Sequence, residues 1–86
     1  MLNDNEIEVI DKVNDIIESA ELELQKALSF NKLGVEGKEI FKNVLSYTDE
    51  LEKIYANISN EHIRFIVSEK IIIYFKRFLS VLNQII

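Results

Sequence analysis

Three stretches of this chain place apolar residues at alternating spacings of three and four, the rhythm of a helix with one buried face. In the first, Ile10, Val13, Ile17, Ala20, Leu24 and Ala27 keep the rhythm, and Val9, Ile16 and Leu28 widen it. Asn3 with Glu6 three residues later reads as an N-cap facing a carboxylate at the third helical position. Asp4, Glu6 and Glu8 add negative charge where the helix dipole favours it. A first helix over residues 4–30 follows. In the second stretch, residues 37–56, Ile40, Val44, Tyr47, Leu51, Ile54 and Ile58 repeat every seven residues, flanked by Phe41, Thr48 and Tyr55.

The third stretch, residues 60–86, is the greasiest. Ile63, Val67, Ile71, Tyr74, Phe78, Val81 and Ile85 form one seam, and Phe65, Ile72, Phe75, Leu79, Leu82 and Ile86 form a second beside it. Together they cover roughly 200° of the circumference, where a core-facing stripe needs little more than about 100°. His62, Glu69, Lys70, Lys76, Arg77, Ser80, Asn83 and Gln84 fill the remaining arc, with Ile66 and Ile73 inside it. Either this helix is the central element with a neighbour on each side, or part of its face is meant for another chain. Large exposed apolar patches on small proteins mark interfaces.

Two interruptions divide the pattern. Residues 31–37 contain Gly34, able to take the left-handed conformation that ends a helix, and Gly37, a second permissive point. In residues 57–60, Ser59 or Asn60 can cap the helix that follows. Loops this short favour antiparallel neighbours. The expected fold is all-α, an antiparallel three-helix bundle in a single domain.

Composition agrees. The chain has 86 residues, 48% of them apolar and 29% charged, with no proline and two glycines. A chain of this length buries a modest core, so its helices must pack efficiently or a second copy must help. With no cysteine, disulfides and Cys-based zinc sites are excluded. The opening Met-Leu-Asn-Asp-Asn-Glu has neither a basic region nor an apolar one, so no signal peptide is expected and the expected compartment is the cytoplasm. A net charge of −5 argues against nucleic-acid binding. Arg64, Glu69, Lys70, Lys76 and Arg77 interrupt the third helix too often for a membrane span.

Candidate chemistry is sparse. His62 is the only histidine, with no second His for a zinc site, and no nucleophile elbow or phosphate loop is present. No enzyme activity and no cofactor or metal is expected. Two surfaces remain as candidates for a protein partner. Asp4, Glu8, Asp11, Asp15 and Glu18, spaced four, three, four, three, fall within an arc of roughly 80° on the first helix. Like charges so spaced oppose one another, so they form either a ridge for a basic partner or a solvated face. The second surface is the flank of the third helix carrying Ile66, Lys70, Ile73 and Arg77, with Ile71, Phe75, Phe78, Leu82 and Ile85 serving core or dimer. The expected function is non-catalytic protein binding, with a homodimer through the third helix.

In general form, small, helical and without cysteine, the chain resembles the immunity proteins that accompany bacteriocins. That resemblance implies a bacteriocin immunity protein or an inhibitor of the phage or toxin-antagonist type, and it transfers no site residue. A membrane-surface adaptor using the third helix, which has four basic residues against two acidic ones, is a further alternative.

Overall fold

Asn3 starts the fold: its side-chain Oδ1 accepts the Glu6 amide at 2.8 Å, and the Glu6 carboxylate accepts the Asn3 amide at 3.1 Å. This reciprocal cap satisfies two amides that the first helical turn leaves without partners. In the computed structural model, which describes residues 3–30 and 35–85, the cap opens α1 (Asp4–Phe30). Two more helices follow, α2 (Val35–Ala56) and α3 (Glu61–Ile85), completing an all-α antiparallel three-helix bundle. Gly34 and Ile86 lie outside the described residues.

The second helix begins at Val35, ahead of the expected start at residue 37, so Gly37 sits inside its first turn. Glycine weakens helix interiors by about 1 kcal/mol, but the amides of a first turn have no intrahelical partner to lose. At its other end α2 closes tightly. Asn57 donates its side-chain amide to the Lys53 carbonyl at 2.9 Å, and the Asn57 and Ile58 amides bond to the Ile54 and Tyr55 carbonyls. Asn60, rather than Ser59, then caps α3, its Oδ1 accepting the amides of His62 and Ile63 at 2.9 and 3.1 Å.

The core takes Val13, Ile16, Ala20, Leu24 and Ala27 from α1, Ile40, Val44 and Leu51 from α2, and Ile63, Val67, Tyr74 and Val81 from α3. Burying one such aliphatic side chain contributes about 1.5–3 kcal/mol. An exposed ion pair such as Lys26–Glu23 contributes under about 1 kcal/mol. The bundle therefore stands on its apolar seam.

The centre of the bundle is α1, not α3. It packs closely on both other helices, whereas the backbones of α2 and α3 stay farther apart. The reason is side-chain size. Ala20 and Ala27 let neighbours approach α1. Between α2 and α3 stand aromatic rings: Phe41 meets Phe78 edge-on at 6.2 Å, and Arg64 lies over the Tyr55 ring at 4.8 Å. Tyr74 also fills this gap, its hydroxyl 3.0 Å from Thr48 Oγ1. Thr48 already donates its one proton to the Val44 carbonyl at 2.9 Å, so Tyr74 is the donor of the pair.

The molecule measures 45 × 18 × 17 Å with a radius of gyration of 14.2 Å. A compact chain of this length has about 12 Å, so this rod exposes more surface per residue. None of the described helices is long and apolar enough to cross a membrane.

Candidate functional site

The two seams of α3 have different environments. Along the first, Ile63, Val67, Tyr74 and Val81 are buried, and Ile71 and Phe78 pack half-buried against them. Along the second, Phe65 is 60% exposed, Ile72 53%, Phe75 41% and Leu79 61%. Among the described residues of that seam only Leu82 is half-covered. Of the three helices, α3 spreads its apolar residues most evenly around the axis. The other two helices cover a single stripe of it.

The open seam borders the side of α3 that meets α2, with Phe75 at the boundary. Phe75 lines a small apolar groove of ≈ 250 Å³ with Thr48, Leu51, Glu52, Tyr55 and Ile71. On α2, Phe41, Thr48 and Tyr55 touch α3. Leu45, four residues after Phe41 and three before Thr48, shares that flank by helical spacing and is exposed. An apolar strip thus runs along the α2–α3 side of the rod, with α1 on the opposite side. Leu45, Phe65, Ile72 and Leu79 were not among the expected site residues. Their sequence signal was the seven-residue interval Phe65–Ile72–Leu79 and the step of four from Phe41 to Leu45.

The flank expected to meet a partner is divided. Ile66 is not an exposed isoleucine: it is half-buried and packs against the core. Lys70 is half-buried too. Arg77 reaches α1 and pairs with the Glu21 carboxylate, which ties α3 to its parallel neighbour. Ile73 alone among the four is exposed and apolar. Of the residues expected in core or dimer, Ile71, Phe78 and Leu82 are half-buried and Phe75 is exposed. The side chain of Ile85 lies outside the described part.

Asp4, Glu8, Asp11, Asp15 and Glu18 are all exposed along the outer face of α1. Among the described residues none of them lies within 4 Å of a basic nitrogen. No three His, Asp or Glu side chains converge into a possible metal site among those residues. His62 is exposed at the start of α3.

A cleft of ≈ 600 Å³ opens where the start of α1, the end of α2 and the start of α3 meet. Val9, Ile54, Ile58 and Ile63 form its floor, and Lys12 and Lys53 stand at its edge. Four of its other polar residues serve the fold: Asn3 and Glu6 cap each other, Asn57 closes α2 and Asn60 caps α3. No buried side-chain nitrogen or oxygen among the described residues lacks a hydrogen-bond partner. Among the described residues, the clearly perturbed titration belongs to the core. Burial raises the Tyr74 phenol above its ordinary 10.0, the Thr48 hydroxyl partly offsets this where it turns to donate to the ionised oxygen, and the Glu21 charge adds to the rise.

Comparison with known protein families, with curated proteins and with solved structures finds no match to this chain.

Proposed function

We propose that this protein is a non-catalytic binding module that acts by protein–protein contact, and that it self-associates through α3. The observation that carries the reading is the open second seam: Phe65, Ile72, Phe75 and Leu79 all lie exposed along one line of α3. Scattered exposed apolar residues are ordinary on protein surfaces, but an aligned strip of large ones marks an interaction site. Covering it recovers about 25 cal/mol for each Å² of apolar surface removed from water. The slender shape of the bundle supports the same reading, because a second rod laid alongside supplies the cover that three helices of this length do not.

Static light scattering across micromolar to millimolar concentrations tests it. The expected result is an average mass rising from that of the 10.0 kDa monomer toward twice that value. A mass that stays monomeric throughout overturns the proposal.

A further inference from the structure

We infer that the second copy docks antiparallel, α3 against α3, locked by two reciprocal Glu69–Lys76 pairs. This rests on the self-association proposed above and adds its geometry. Taking Phe65 as position a of a heptad puts Ile72 and Leu79 also at a, and Ser68, Phe75 and Leu82 at d. That is the two-position seam along which coiled helices interlock, and of its large members Phe65, Ile72, Phe75 and Leu79 are exposed and Leu82 is half-buried. Glu69 and Lys76 then fall at e, seven residues apart on one edge. Both are exposed, and neither has an ion pair within the chain among the described residues. The opposite edge, position g, carries Arg64, Ile71 and Phe78 and faces α2.

Orientation follows from which edges meet. In an antiparallel pair each e edge faces the other e edge, so Glu69 of one copy comes beside Lys76 of the other, twice by symmetry. The apolar layers then match Phe65 with Leu82 and Ile72 with Phe75, and set Leu79 over the small Ser68. In a parallel pair e meets g instead. Glu69 would need Arg64, which is already engaged over the Tyr55 ring, and Lys76 would face the aliphatic Ile71. Charge complementarity therefore selects the antiparallel arrangement.

Sedimentation equilibrium of charge variants tests it. Lys76→Glu alone and Glu69→Lys alone each replace two attractions by two repulsions, and each raises the dimer Kd roughly ten-fold. The double variant Glu69→Lys/Lys76→Glu restores the Kd to within about two-fold of the parent. Because the chain has no native cysteine, an oxidised equimolar mixture of Ser68→Cys and Leu79→Cys chains gives a second readout, in which the mixed disulfide predominates. A dimer that Ile72→Glu disrupts but the charge variants leave unchanged, or one that gives mainly like-with-like disulfides, overturns the antiparallel pairing and leaves self-association standing. A parent chain that never dimerises overturns both.

Discussion

The two seams of α3 run along the same helix and carry similar side chains. One is sealed and the other lies open. Ile63, Val67, Tyr74 and Val81 meet the small-residue face of α1, where Ala20 and Ala27 allow close approach. By helical spacing Phe65, Ile72 and Leu79 lie past the edge of α3 that meets α2 and stay exposed, while the rings of Phe41, Tyr74 and Phe78 hold α2 at a distance. The difference teaches that the apolar width of a helix sets how much cover it needs, while the bulk of neighbouring side chains decides how much it receives. On α3 the shortfall falls mainly along one line: of its exposed large apolar side chains, all but Ile73 belong to that second seam.

Truncating each seam in turn contrasts them most strongly. Ile63→Ala removes a fully packed side chain and should cost about 2–5 kcal/mol in urea denaturation. Ile72→Ala, measured at a dilution where light scattering reports a monomer, should change stability by no more than about 0.5 kcal/mol. At millimolar concentration the Ile72 variant should fall behind the parent, because association stabilises only the folded state. Equal losses at low concentration would erase the distinction between the seams.

Tyr74→Phe probes the sealed seam more gently. The variant loses the hydroxyl that donates to Thr48, at a cost of about 1 kcal/mol at neutral pH, while Thr48 keeps its bond to the Val44 carbonyl. The parent also carries a pH signature. The folded state holds the phenol proton more tightly than the unfolded chain, so its contribution is complete below pH 10.0 and falls as pH rises above that value. Denaturation curves from pH 8 upward should show an alkaline decline that is steeper in the parent than in Tyr74→Phe; identical slopes would contradict burial of the phenol.

A smaller effect is expected at the edge between α3 and α1. Arg77→Ala removes the pair with Glu21, an exposed contact on the arginine side. The expected loss is under about 1 kcal/mol and disappears in about 1 M salt, where charges are screened beyond about 3 Å. A larger, salt-independent loss would point to packing by the arginine stem instead.

Much of this architecture was legible from local chemistry. Asn3 and Glu6 announced the start of α1, Asn60 was one of two visible caps for α3, and the three-four spacing found the buried residues of every helix. Both seams of α3 were visible as well. Spacing gives angles around one axis, however, and cannot say which neighbour covers which angle. Ile66 looked polar-sided by angle yet packs on the core, while Phe65 and Leu79 looked like core and are exposed. Arg77 meets Glu21 across 56 residues of sequence, and Thr48 meets Tyr74 across 26, contacts with no local signal to mark them. The start of α2 was misplaced by two residues because a glycine reads as a breaker even in a first turn that tolerates it.

Sedimentation equilibrium of the Ile72→Glu/Leu79→Glu double variant beside the parent chain goes most directly to whether the open seam is an interface. A parent that dimerises and a variant that stays monomeric with unchanged helical circular dichroism is the expected pair of results. A variant that associates as strongly as the parent would contradict it, because the strip would then be solvent-facing surface and the contact would lie elsewhere.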